Sequence, residues 1–269
     1  MTLALGIDVG GTKLAAARVD VASGEILAAA RRPTDPGRGA EAVLADCVAL
    51  GREAAGDGAV AGVGLAVCEL VDPAGRVRSA ETVEWRDTDL AEAFAPLGPL
   101  RVESDVRAAA VAEARLGAGR GEPDFLYVGV GSGISHCLVT GGRPRAGAHG
   151  SAIGTGAPYV ERWSGGLALA RRPGHRTAPE ALDDPARAAI VEDAARRLGT
   201  ALAALVNALD PGVLVIGGGL GLDPGYRERA VTAMRVEVYD PAAARVPVRP
   251  AALGADAAVV GAALAAVRG

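Results

Sequence analysis

Short apolar runs closed by glycine turns alternate along this chain with longer stretches in which apolar residues recur at helical spacing. Residues 3–7, 14–20 and 26–31 read as a three-stranded meander, with Gly10-Gly11 and Ala22-Ser23-Gly24 as its turns. Residues 40–55 place Val43, Leu44, Cys47 and Val48 on one face of a helix. Strands at 61–67 and 100–103 and a helix at 106–116 follow, up to the glycine-dense break Gly117-Ala118-Gly119-Arg120-Gly121. A second cycle opens there, with strands at 125–130 and 135–140 flanking Gly131-Ser132-Gly133. An amphipathic helix at 185–209, a buried strand at 213–216, the run Gly217-Gly218-Gly219-Leu220-Gly221 and an Ala-rich helix at 255–267 complete it. Such alternation predicts an α/β fold. The hinge falls near the glycine break, giving a smaller domain of residues 1–117 joined by the closing helix 255–269, and a larger one of 118–254.

Composition narrows the function. A chain of 269 residues, half of them apolar, can build one large core or two smaller ones, and its 3% aromatic content means that Ala, Val and Leu fill them. The net charge of −4 offers no basic face for nucleic acid. No apolar run reaches the ~18 residues of a membrane span, and the first strand begins too early for a signal peptide. Cys47, Cys68 and Cys137 are odd in number and far apart, which suits reduced thiols. The expected location is the cytoplasm.

One cation stands out: Lys13 is the only lysine, and it closes Gly6-Ile7-Asp8-Val9-Gly10-Gly11-Thr12-Lys13. Gly10 and Gly11 can take positive φ and carry no Cβ, so backbone N–H groups can approach an anionic oxygen. Thr12 adds a hydroxyl, Lys13 a compact charge, and Asp8 a carboxylate through which Mg²⁺ with its water shell can bridge to a phosphate. A plain Gly-Gly hairpin with an exposed lysine is the alternative. Gly131-Ser132-Gly133 repeats the strand, glycine turn and strand in the second half, and two such turns are more specific than one. The run Gly217-Gly218-Gly219 lets backbone lie against a flat ring or a ribose, or is an ordinary strand-to-helix loop.

These segments resemble the ROK family of sugar kinases and repressors, within the actin-like ATPase superfamily that includes hexokinase. Residues 8–13 match its first phosphate motif; Gly131-Ser132-Gly133-Ile134 matches the second, with Ser for the usual Thr. Asp210-Pro211, residues 215–219 and residues 254–263 match the adenosine region and closing helix. Ser104-Asp105 stands where the family has an Asn-Asp pair opening a helix. The resemblance runs from the first strand to the last helix. It implies two actin-like (ribonuclease H-like) α/β domains with a cleft between them that closes on substrate, ATP and Mg²⁺ as cofactors, and a homodimer. It makes Asp105 the general base; read alone, the same residue is a helix N-cap.

Departures from the family pattern are as informative. Glucose-type members carry Gly-Glu-Ile-Gly-His where this chain has Ser151-Ala152-Ile153-Gly154-Thr155, so two polar contacts to sugar hydroxyls are absent. Losing a hydrogen-bond partner of this kind disfavours the ligand that needs it. The usual Pro-Gly is Cys68-Glu69, the usual Asn shortly before Trp85 has no counterpart in Thr82-Val83-Glu84, and His136 replaces a glycine beside the phosphates. The family's cysteine cluster for structural zinc is missing between Thr155 and Glu161, so no structural zinc is expected. Glu161 keeps the sugar-contacting position, although a solvated loop carboxylate is the alternative. His149 and His175 have no ligand-spaced partner. Acceptor-binding residues on this reading are Ser104, Glu161, Glu69, Ala152 and Thr155.

Three functions follow from the resemblance. The first is an ATP-dependent kinase acting on a sugar relative other than glucose, either an aminosugar or a C7 cyclitol such as 2-epi-5-epi-valiolone. The second, a family repressor, needs an N-terminal helix-turn-helix domain, for which the phosphate loop at residue 8 leaves no room. The third is a catalytically inactive homologue that binds sugar or nucleotide. Asp8, Thr12, Lys13 and Asp105 together favour the first.

Overall fold

The computed structural model describes residues 1–154, 159–171 and 178–267. In chain order it contains β1 (Leu3–Val9), β2 (Lys13–Asp20), β3 (Ile26–Pro33), α1 (Ala40–Ala55), β4 (Val63–Val67), α2 (Leu90–Phe94), β5 (Leu100–Ser104) and α3 (Asp105–Leu116). There follow β6 (Phe125–Val130), β7 (Ile134–Thr140), β8 (Arg143–Pro144), α4 (Tyr159–Ser164), α5 (Gly166–Arg171), α6 (Ala178–Asp183) and α7 (Ala188–Leu209). The chain ends with β9 (Leu214–Gly217), α8 (Pro224–Glu237), β10 (Val248–Pro250) and α9 (Ala257–Ala266).

The strands form two five-stranded sheets, β3-β2-β1-β4-β5 and β10-β9-β6-β7-β8. Read from the other edge, the second is β8-β7-β6-β9-β10, the same topology as the first. In each, a central strand pairs antiparallel with the strand that follows it in sequence and parallel with a later one. This is a structural duplication in a chain whose halves share little beyond a glycine turn between the first two strands.

Two compact units result: Met1–Leu116 with Pro144–Ala152 and Asp256–Gly269, and Gly117–Arg143 with Ile153–Ala255. Each has its own apolar cluster. In the first, Leu5, Ile7, Leu65 and Leu50 pack with Trp85 and Phe94; in the second, Leu126, Val128 and Ile216 pack with Leu198, Leu202 and Met234. Cys47 and Val43 are buried on α1, and Leu44 and Val48 pack at the margin of the same cluster.

The segment Pro144–Ala152 goes with the first unit, whereas the sequence expectation assigns it to the second. Arg107 explains this: it is 1% exposed, and its Nη1 donates to the Gly150 carbonyl at 2.9 Å while Nη2 donates to the Val71 carbonyl at 2.6 Å. A β-carbon on Gly150 would come within 2.0 Å of the Val71 oxygen.

Helix α9 lies on the first unit by equally close backbone packing. A β-carbon on Gly64 would stand 1.9 Å from the Ala262 carbonyl oxygen, and one on Gly261 would stand 1.7 Å from that of Ala108. Glycine and alanine at these crossings let helix and sheet backbones approach in a way that larger residues forbid. Among the described residues no helix is long and apolar enough to cross a membrane.

Candidate active site

Parallel strands β1, β4 and β5 end together, since Val9 is level with Val67 and Val67 with Ser104. The residues at and just beyond these carboxyl ends therefore share one edge of the sheet, where α/β proteins commonly bind ligands. Asp8 lies on β1, Cys68 follows β4, and Asp105 opens α3 directly after β5.

Asp8 is half-buried, and its pKa is raised from 3.8 to about 7. Burial is the main cause, the nearby Asp105 carboxylate adds to it, and Lys13 opposes it. Two carboxylates thus face a single lysine, an excess of negative charge that a divalent cation would relieve. The donor set suits Mg²⁺, a hard ion that takes one or two protein carboxylates and completes its shell with water and phosphate oxygens.

The turn after β1 is closed by the Gly10 N–H donating to the Lys13 carbonyl at 3.0 Å. Thr34 braces it, its hydroxyl donating to the Gly10 carbonyl at 2.7 Å and its N–H to the Thr12 carbonyl at 3.1 Å. Gly11, Thr12 and Lys13 are exposed. Neither Gly10 nor Gly11 has positive φ, contrary to the sequence expectation. Their role is the missing side chain: a β-carbon on Gly11 would meet nothing within 4 Å, so that face of the turn is open to a ligand.

Asp105 is half-buried at the first position of α3, and one carboxylate oxygen accepts from the Val106 N–H at 2.6 Å. The preceding Ser104 is fully buried, and its hydroxyl has no hydrogen-bond partner. Its expected contact with substrate is not available in this arrangement.

Glu69 departs further from expectation. Only 2% exposed, its carboxylate accepts from the Ser79 hydroxyl at 2.5 Å and from the N–H groups of Glu81, Thr82 and Val83 at 2.9, 2.6 and 3.1 Å. A carboxylate saturated in this way holds a loop and is not free for a sugar hydroxyl. Beside it, the half-buried Cys68 thiol donates to the Thr82 hydroxyl at 3.2 Å. Burial pushes that thiol up to about 12, with Asp105, Glu69 and Asp8 adding to the rise and Thr82 opposing it. Cys68 and Thr82 were visible in sequence only as departures from a family pattern.

In the second unit, Gly131, Ser132 and Gly133 form the turn between β6 and β7. The Gly131 N–H donates to the Gly133 carbonyl at 2.9 Å, and the Gly166 and Leu167 N–H groups donate to the Gly131 and Ser132 carbonyls at 2.7 and 3.2 Å. Ser132 is exposed. Glu161 on α4 reaches this turn, its Oε1 lying 2.8 Å from where a β-carbon on Gly133 would be. The helix bearing it is pinned: the Ser164 hydroxyl donates to the Ala194 carbonyl on α7, and the Tyr226 hydroxyl on α8 to the Ser164 carbonyl, both at 2.8 Å.

The run Gly217, Gly218 and Gly219 continues the same surface. Gly217 is level with Gly129 on β6, and the N–H groups of Leu220 and Gly221 donate to the Val130 carbonyl at 3.0 and 2.9 Å. Gly218 has φ +79 and backs onto the Val130 backbone, while Gly219 has open space where a β-carbon would be. His136 on β7 is kept below its usual range by burial. Ala152 is exposed and presents only a methyl group; Thr155 and His175 lie outside the described residues.

The ROK family profile matches residues 4–164 and 172–268. This chain belongs to the ROK family. A kanosamine kinase of Amycolatopsis mediterranei is 30% identical to it over 96% of this chain and 94% of its own length. A bifunctional enzyme NanE/NanK of Brucella melitensis is 34% identical over 61% of this chain, which spans 34% of that protein's length. Among solved structures, a ROK family glucokinase from Streptomyces griseus in complex with glucose and AMPPNP superposes with a TM-score of 0.85 at 27% identity, covering 99% of this chain and 100% of that one. The fold is the two-domain actin-like architecture of ROK kinases.

Proposed function

We propose that this protein is an ATP-dependent sugar kinase whose acceptor is an aminosugar or a C7 cyclitol such as 2-epi-5-epi-valiolone in preference to glucose, with Asp105 as general base. The observation that carries the reading is the convergence of Asp8 and Asp105 at one sheet edge beside Lys13, each close enough to perturb the ionisation of Asp8. Phosphoryl transfer asks the protein for alignment, charge neutralisation and a base for the proton of the attacking hydroxyl.

Asp105 takes that proton as the acceptor oxygen attacks the γ-phosphorus, and the bond to the β-phosphate oxygen breaks. Within the first unit the Gly10-Gly11-Thr12-Lys13 turn would offer N–H, hydroxyl and ammonium donors to phosphate; within the second, Gly131-Ser132-Gly133 would offer N–H and hydroxyl donors to phosphate, and Gly217, Gly218 and Gly219 a backbone face to adenosine. Asp8 would hold Mg²⁺ through the water shell of the ion, which would offset the charge of the phosphate oxygens. The kanosamine kinase relative supports an aminosugar. The methyl of Ala152 and the buried hydroxyl of Ser104 argue against the full set of polar contacts that glucose would need.

The test is ADP release from Mg-ATP across glucose, mannose, glucosamine, kanosamine, N-acetylmannosamine and valiolone-type cyclitols, with Asp105→Asn in parallel. Turnover on a non-glucose acceptor, lost in the variant, is the expected result. ATP binding with no acceptor-dependent ADP release would overturn it in favour of an inactive sugar- or nucleotide-binding homologue. We further expect a homodimer in the cytoplasm, which sedimentation equilibrium and cell fractionation would check.

A further inference from the structure

Burying a carboxylate is unfavourable unless its lone pairs are filled. Glu69 meets that requirement with donors drawn entirely from residues 79–83: one hydroxyl and three successive backbone N–H groups. Successive N–H groups converging on one anion form a nest of the kind that binds phosphate elsewhere, and charge-assisted bonds of this type are the stronger class. The loop forms no helix or strand at these positions. On its far side it is held by buried Val83 and by Trp85, whose indole N–H donates to the Ala40 carbonyl at 3.0 Å.

The loop so held brings Thr82 next to Cys68, and Cys68 directly follows β4, whose last residue Val67 is level with Val9 on β1 and with Ser104, the residue before Asp105. The thiol stays protonated and donates to Thr82, so the Thr82 hydroxyl, having accepted one bond, keeps its own proton to donate. A half-buried hydroxyl donor held on Cys68, at the sheet edge that also carries Asp105, is suited to an oxygen of the acceptor neighbouring the one that reacts.

Resting on the kinase reading, we infer that Glu69 is a positioning residue that latches the 79–83 loop, and that the loop presents Thr82 as a specificity-determining contact to the acceptor. Glu69 touches no substrate itself. It fixes the loop as a second-layer carboxylate fixes a ligand in other sites, by occupying every donor that would otherwise let the backbone turn away.

Two variants test this. Glu69→Gln keeps the volume but places an amide NH₂ against N–H donors; Thr82→Val keeps the shape and removes the hydroxyl. With the best acceptor from the panel, each is expected to raise the acceptor KM about tenfold or more while the Kd for ATP stays within about twofold, a loss typical of a missing hydrogen bond to substrate. In hydrogen exchange, Glu69→Gln is expected to lose protection at the amides of Glu81, Thr82 and Val83, and Thr82→Val to retain it. An unchanged acceptor KM in folded Thr82→Val, or retained protection in Glu69→Gln, would overturn the inference. So would equal losses of ATP and acceptor affinity in Glu69→Gln, which would mark a general structural role. If Glu69→Gln does not fold, Thr82→Val and Cys68→Ala decide the point, because both leave the latch intact. Absence of turnover in the parent protein would defeat the kinase reading separately, and the exchange measurement would still report on the latch.

Discussion

The Glu161 carboxylate stands so close to Gly133 that a β-carbon there would lie 2.8 Å from its Oε1. A side chain from α4 thus reaches the backbone of the Gly131–Gly133 turn, the proposed second phosphate turn. The obstructing atom is the far end of an exposed, flexible side chain, which can swing away. Gly133→Ala is therefore expected to change stability by no more than about 0.5 kcal/mol. If the turn holds phosphate as proposed, the variant should still weaken ATP binding, because the displaced carboxylate and the added methyl both alter the face proposed to meet phosphate. A chemical denaturation curve and an ATP titration on the same sample check the pair of outcomes; a large loss of stability would show that Glu161 is held rigidly.

The opposite outcome is expected for Gly261→Ala. Its β-carbon would lie 1.7 Å from the Ala108 carbonyl oxygen, and the obstacle is helix backbone with no rotamer to change. Helices α3 and α9 would have to separate. A loss of at least about 3 kcal/mol, beyond the usual range for overpacking, is expected in urea denaturation. Recovery of parent-like stability would mean that α9 can shift along the sheet without penalty.

Arg107→Met tests a buried charge. Besides its two carbonyl partners, the guanidinium meets Glu103 through Nε at 2.5 Å. Methionine would fill the volume but leave the Val71 and Gly150 carbonyls and the Glu103 carboxylate short of a donor. Leaving buried acceptors unsatisfied typically costs about 1–3 kcal/mol. The variant should lose roughly 2–4 kcal/mol, and limited proteolysis should find residues 144–152 more accessible. A fully additive double variant with Glu103→Gln would argue against the coupling, since neighbours in one network depart from additivity.

These three predictions also show what sequence could and could not supply. The glycine turns at 10–11 and 131–133 and eight of the ten described strands are legible because hydrophobic runs and turn residues are local signals, whereas the short edge strands β8 and β10 are not. Helix α8 was missed, although Pro224 at its start and Asp223 before it, whose carboxylate accepts from the Tyr226 N–H at 2.7 Å, spell out a helix start. The assignment of residues 144–152 to the first unit was not legible, because it depends on Arg107 reaching across more than forty positions of sequence. Glu69 was the most misleading residue. Its place in the chain pointed to the acceptor, and only the burial of its carboxylate against residues 79–83 reveals a latch.

The raised pKa of Asp8 makes stability depend on pH in a definite direction. Its value is 3.8 in an ordinary setting and about 7 in the folded protein, so between these pH values the folded state holds more protons than the unfolded one. Stability contributed through this group therefore falls as pH rises through that window, and the full penalty is present above the upper value. Asp8→Asn removes it. Without nucleotide or Mg²⁺, the variant should be more stable than the parent at pH 8, by about 1–2 kcal/mol once solvent screening of a half-buried group is allowed for. The difference should vanish towards pH 4. Adding Mg²⁺ at pH 8 should raise the denaturation midpoint of the parent and leave that of Asp8→Asn unmoved, since the cation and the amide substitution relieve the same excess of negative charge. Parallel pH profiles for the two proteins in the presence of a chelator would show that Asp8 and Asp105 do not repel each other across the sheet edge, and would remove the electrostatic reason for placing the cation there.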